Sequence, residues 1–210
     1  MTPKSRILCH RGLWDSPLEG NSLESILSAL SEGFGVEIDV RDRFGEVVIA
    51  HDPPLQEIRP PTLSMLLEKL AEIGADSNMA INIKSDGLEA LIPSISVPHF
   101  FFDMSFPDQL SYQKAKRRLA IRVSEYEPLS APDLSPRADC IWIDAFQSDW
   151  YLEENVFERL LQEEATKVFV SPELHGRNHE RVWSALRPLF LSRNDIMICT
   201  DQPRLFLESL

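Results

Sequence analysis

Three short stretches near the N-terminus and one further on carry side chains whose types and spacing could do chemistry. Glu37-Ile38-Asp39 sets two carboxylates two residues apart, so on a strand both point to the same face. Carboxylates held that close in an apolar interior repel each other and are driven toward protonation unless a cation joins them. A hard divalent ion with oxygen ligands meets that need; pairing with Arg41, Arg122 or Lys84 meets it equally well for these two alone. Asn82-Ile83-Lys84 repeats the spacing. Asn82 can lend a neutral oxygen to the same ion, and Lys84 a fixed positive charge to an anion.

His10-Arg11-Gly12 and His51-Asp52 add two imidazoles and a guanidinium. An imidazole titrates near neutrality, where it can both take and give a proton. A lone histidine here is more often a structural hydrogen-bonding group. A pair flanking two carboxylates can serve as acid and base across one scissile bond. Arg11 offers a planar fork matched to two oxygens of a phosphate.

Weaker candidates for substrate contact follow later strands: Arg122, Glu125, and Glu173, His175 and Arg177 within Ser171-Pro172-Glu173-Leu174-His175-Gly176-Arg177. Asp103, Asp144 and Asp201 are further polar groups at strand ends, whereas His99 and His179 read as structural.

Apolar, β-branched runs at Arg6–His10, Val36–Arg41, Ala80–Lys84, Phe100–Met104, Leu119–Val123, Cys140–Asp144, Val168–Ser171 and Ile196–Thr200 alternate with helix-period runs. The latter lie at Ser22–Ser31, Leu63–Ile73, Asp108–Lys116, Glu154–Glu164 and His179–Leu189. Prolines weaken the helix signal after the third and fifth strands. Such alternation gives a parallel sheet covered by helices, and eight strands close it into a (β/α)8 barrel. An open doubly wound sheet is the rival, but no G-x-G-x-x-G follows the first strand. The glycine turn Asp42–Glu46 before Val47–Ile49 reads as a hairpin after the second strand, returning His51 toward the strand ends. No linker or repeat divides the chain, so residues 1–210 are expected to form one domain.

A net charge of −12 over 210 residues disfavours nucleic acid and anionic membranes as partners, though not a small anion that meets a metal and a few placed cations. No apolar run is long enough to span a bilayer. The N-terminus lacks a signal-peptide pattern, and Cys9, Cys140 and Cys199 are scattered without C-x-x-C spacing. Buried thiols in a reducing, cytoplasmic setting are expected. Nothing in the sequence fixes an oligomeric state.

Over roughly Ile7–Pro54 the chain resembles the glycerophosphodiester phosphodiesterase family. His10-Arg11-Gly12, Asn21-Ser22, Glu37-Ile38-Asp39-Val40 and Val48-Ile49-Ala50-His51-Asp52 match in order, spacing and strand context. Beyond this the match thins to the strand bearing Lys84 and the strand count. The resemblance implies a TIM barrel and a Ca²⁺ or Mg²⁺ ion on Glu37 and Asp39. It also implies Arg11 on the phosphate, with His10 and His51 as acid and base, and cleavage of a glycerophosphodiester to glycerol 3-phosphate and an alcohol. Two departures stand out. The family usually has a glutamate where this chain has Asn82, and many members carry an insertion after the His-Asp pair where this chain has only Pro53–Pro61. Two alternatives remain: a silent barrel that binds a phosphorylated ligand, and a lipid-directed phospholipase D-like lyase, which would want an exposed apolar rim.

Overall fold

The computed structural model describes residues 2–74, 76–127 and 138–210. Nine strands form one sheet: β1 (Ile7–His10), β2 (Gly35–Arg43), β3 (Glu46–Ile49), β4 (Met79–Ile83), β5 (His99–Phe102), β6 (Ala120–Val123), β7 (Cys140–Ile143), β8 (Thr166–Val170) and β9 (Ile196–Thr200). Eight of them run parallel in the order β5-β4-β2-β1-β9-β8-β7-β6. The two ends of that order meet at a parallel Phe101–Leu119 bridge, where Phe101 N donates to Arg118 O at 3.0 Å. The sheet thus closes, with β3 antiparallel to β2 as a hairpin outside the ring. The barrel and the hairpin both follow the sequence expectation.

Alternation along each strand sorts the core into two layers. Leu8, Ala80, Phe100, Phe102, Ala120, Cys140, Trp142, Val168, Val170, Met197 and Cys199 fill the barrel interior, and Phe102 stacks on Trp142 at 4.1 Å. The opposite parity packs against the helices, with Ile26, Leu66, Tyr112, Leu160, Trp183 and Phe206 among the buried residues there. Each such buried side chain contributes roughly 1.5–3 kcal/mol relative to exposure. All three cysteines are buried and free.

The helices are α1 (Leu23–Ser31), α2 (Leu63–Ile73), α3 (Phe106–Lys114), α4 (Glu154–Gln162), α5 (Glu180–Ser192) and α6 (Pro203–Glu208). α1 starts where Ser22 accepts from Ser25 N at 3.1 Å, which satisfies one of the four unpaired N–H groups of a first turn. α3 begins two residues earlier than its periodicity suggests, because Ser105 caps it and Pro107 suits a first turn. Between β4 and β5 only a 3-10 turn, Glu89–Leu91, is found. The weak helix signal after the fifth strand falls largely on residues 128–137, outside the described residues. α6 was not anticipated: six residues are too few to show a period.

Candidate active site

The inward parity that builds the apolar interior continues past it, so the last inward residue of each strand faces the mouth at the C-terminal strand ends. His10 sits beside Glu37 in the β1–β2 register, and Asp39 beside Asn82 in the β2–β4 register. Glu37 and Asp39 are 2% and 1% exposed. The two carboxylates are nevertheless treated differently. Asp39 is fully engaged: Arg11 Nε lies 2.9 Å from Oδ2, Lys84 Nζ 3.3 Å from Oδ1, and Asn21 Nδ2 donates to Oδ2 at 2.8 Å. Burial alone would raise its pKa, but Lys84, Arg11 and Asn21 outweigh that and hold it below the usual aspartate value. For Asp39, therefore, pairing with Lys84 is realised, and Arg11 joins it.

Glu37 has no such support, and its Oε2 is buried without a hydrogen-bond partner. Burial first, and the neighbouring Asp39 charge second, push its carboxyl up to about 7. Asn82 Oδ1 is likewise buried and unpartnered. Two orphaned oxygens beside an ionised carboxylate fit a hard cation that takes oxygen ligands. Among the described residues no three His, Cys, Asp or Glu side chains converge as a metal cage, so an ion here would rest on Glu37 and Asn82 with Asp39 beside them, and Asp39 is already paired.

His10 is oriented by Asp201, whose Oδ1 lies 2.7 Å from Nδ1. A carboxylate only accepts, so in the neutral ring Nδ1 carries the proton and Nε2 is the nitrogen with the lone pair. Burial would lower the pKa of this imidazole; the bond to Asp201 and the charge of Glu37 outweigh it and raise it. Asp201 was legible only as a polar strand end, since it lies 191 residues from its partner. His51 is different. It is 43% exposed at the return of the hairpin, with Nδ1 2.9 Å from the solvent-facing Asp52, and Arg41 fixes its carbonyl at 2.9 Å.

The backbone around the site is forced. Arg11, Asn21 and Asp103 are three of only five non-glycine residues with positive φ among the described residues, conformations that persist where surroundings over-determine them. Asn21 N donates to Arg11 O at 2.9 Å, and Asp39 N to Asn21 Oδ1 at 3.1 Å, so this asparagine links the first two strand ends. Gly12, at φ +100°, lies so close to α1 that a Cβ would meet the Ser25 carbonyl carbon at 2.6 Å.

The weaker candidates gather on the opposite half of the mouth. Arg122 pairs with Asp103 at 3.2 Å and with Glu127 at 2.7 Å. His175 Nε2 lies 2.7 Å from the buried Asp144, and its ring packs on Phe146 at 4.7 Å. The others hold loops together. Glu125 accepts from the backbone of Phe146, Gln147 and Ser148 at 3.0–3.1 Å. Glu173 accepts from the Ser171 and Thr200 hydroxyls, and Arg177 binds Asp149 and the Ala145 carbonyl. His99 bonds the Val97 carbonyl and His179 packs on Trp183, both structural as expected.

No protein-family model matches the sequence, and no curated protein is significantly similar to it. Solved structures do match across nearly the whole chain. A glycerophosphodiester phosphodiesterase from Agrobacterium tumefaciens superposes with a TM-score of 0.67 at 17% identity, covering 97% of each chain. One from Parabacteroides distasonis gives 0.64 at 14%, covering 97% of this chain and 95% of that one. The fold is that of glycerophosphodiester phosphodiesterases. A phosphodiesterase from Oleispira antarctica, solved with the product sn-glycerol-3-phosphate, gives 0.68 at 17%, covering 97% of this chain and 96% of that one.

Proposed function

We propose that this protein is a phosphoric diester hydrolase acting on a small or lipid-derived phosphodiester, with release of a phosphomonoester and an alcohol. One observation carries the reading. His10, with Nδ1 held by Asp201, shares the mouth of a barrel of the phosphodiesterase fold with two cations, Arg11 and Lys84, both fixed on Asp39. Arg11 reaches Asp39 through Nε, which leaves its terminal nitrogens for non-bridging phosphate oxygens. Charge stabilisation of that kind is commonly the largest catalytic contribution.

In the proposed step water attacks phosphorus and the bond to the alkyl oxygen breaks. His10 Nε2 takes the proton from water, and Asp201 stabilises the imidazolium that forms. His51 gives a proton to the departing alkoxide. With a neighbouring substrate hydroxyl as nucleophile the first step gives a cyclic phosphodiester by the same proton traffic, and water then opens it to the phosphomonoester, His51 taking the proton from water and His10 returning one to the ring oxygen. Glu37, Asp39 and Asn82 are the residues that would hold Mg²⁺ or Ca²⁺. Such an ion would supply further positive charge to the phosphate.

The second reading is a silent barrel that binds a phosphorylated ligand. It is favoured by the saturation of Asp39 by Arg11, Lys84 and Asn21, which leaves it little free charge to offer a metal. Turnover of a panel of phosphodiesters, measured with chelator and with added Mg²⁺, Ca²⁺ or Mn²⁺, separates the two. Metal-restored hydrolysis supports the enzyme. Full activity after rigorous chelation removes the metal from it, and phosphomonoester binding with no turnover of any diester favours the silent barrel.

A further inference from the structure

We propose that the mouth of the barrel docks on a zwitterionic phospholipid surface through the tip of the β2–β3 hairpin and the loops around it, so that the substrate is a phosphodiester presented from that surface. The substrate part rests on the phosphodiesterase reading above; the docking part stands without it.

The five most exposed large hydrophobic residues among those described are Leu18, Phe44, Leu55, Phe106 and Tyr126, from 97% to 64% exposed. They lie in the connections that follow β1, β3, β5 and β6, Phe106 at the start of α3, and in the hairpin turn. All belong to the end of the barrel that holds the candidate site. A single exposed leucine is ordinary, but confinement of the most exposed ones to the functional end marks a contact surface.

Phe44 is the sharpest case. Phe44 and Gly45 are the two central residues of the hairpin turn, with φ of 50° and 83°, flanked by the Arg43–Glu46 pair. Such a turn wants Asn-Gly, and a phenylalanine there is strained. Its ring is 86% exposed, with the Arg43 guanidinium 5.3 Å from the centroid. The fold therefore gains little from an aromatic at this position.

The surroundings indicate what covers it. Arg41, Arg43 and Arg59 form no ion pair among the described residues, in a chain of net charge −12. Arg43 and Arg59, with the single carboxylate Glu46, also line a groove of about 660 Å³ that includes Leu23, Phe44, Val48 and Met65. Guanidinium groups beside an apolar floor match the phosphate and the first acyl carbons of a phospholipid. A globular partner seated on this face would cover the mouth. A fluid interface accepts the exposed apolar side chains one by one and delivers substrate at the same time. The strongly negative remainder of the molecule disfavours an anionic surface.

The test is flotation of the full-length protein with phosphatidylcholine vesicles, compared with vesicles containing phosphatidylglycerol, for the wild type and Phe44→Asn. Asn-Gly suits the turn, so this variant should melt no lower than the wild type. Its partitioning onto phosphatidylcholine should fall by about tenfold or more, as expected for losing the burial of one phenyl ring. Its turnover of a soluble phosphodiester should be unchanged, while turnover of a vesicle-borne one drops. Absence of vesicle binding by the wild type, or equal binding by Phe44→Asn, overturns the docking. Phe44-dependent binding without turnover of any phosphodiester upholds the docking and overturns the substrate assignment alone.

Discussion

Replacing Asp201 by asparagine tests the proton-transfer arrangement with little change of shape. In the wild type the Asp201 carboxylate, 2.7 Å from His10 Nδ1, can only accept, so it fixes the tautomer that leaves Nε2 as a base. An asparagine amide can instead donate to Nδ1, which moves the proton to Nε2 and removes the lone pair from the mouth. The expected loss is that of a general base, about 10²–10⁴-fold in kcat, or roughly 3–5 kcal/mol of transition-state stabilisation. KM should change little, because Arg11 and Lys84 are untouched. Folding stability should move by less than about 1 kcal/mol, since Asp201 is partly exposed. The assay is steady-state hydrolysis of the best diester found, for Asp201→Asn, His10→Ala and the double variant. Residues that act as one unit are non-additive, so the double variant should be no slower than His10→Ala. Wild-type kcat in Asp201→Asn, or additive losses, would refute the dyad and leave Asp201 as a structural partner only.

Asn82→Glu should tighten binding of Mg²⁺ or Ca²⁺ in calorimetry by adding a third charge to the shell; unchanged or weaker affinity would show that Asn82 is not a ligand. In chelated protein, the rise of Glu37 from its ordinary 4.5 to about 7 means that the folded state keeps a proton the unfolded state releases. Stability should therefore fall as the pH rises from about 4.5 to 7. Thermal unfolding of Glu37→Gln should lack that slope, and identical pH profiles would show that Glu37 is not held in an uncompensated state. Gly12→Ala combines a positive φ with a clash against α1 and should cost about 2–4 kcal/mol, read as a lower melting temperature; a wild-type value would mean that α1 can shift. Small glycerophosphodiesters such as glycerophosphocholine should be poor substrates beside larger lipid-linked ones, since only Pro53–Pro61 stands where a cap would lie and His51 is open to solvent. Equal kcat/KM for both would show that the short loop does not set specificity.

The eight parallel strands, the hairpin and most helices were legible in the sequence, because each is written in a local period that one window can show. So was the grouping of His10, Arg11, Glu37, Asp39, Asn82 and Lys84, since strand ends of a barrel share one mouth. The i, i+2 spacing also placed Glu37 and Asp39 on one face. It did not reveal that Asp39 would be neutralised by Arg11 and Lys84 while Glu37 kept an unpartnered oxygen, because that depends on register between strands. Asp201 reaches His10 only because β9 pairs with β1 when the barrel closes. Likewise Asp144 meets His175, and Arg122 meets Asp103, across loops that no local pattern relates. The exposure of Phe44 and Leu18 was equally invisible, since an apolar residue in a loop reads the same whether it is covered or bare. The sequence by itself determined which faces are apolar and which strand ends are charged. Only closure of the barrel decided which charges meet, which oxygens go unpaired and which hydrophobic side chains are left facing outward, because those follow from contacts between segments far apart in the chain.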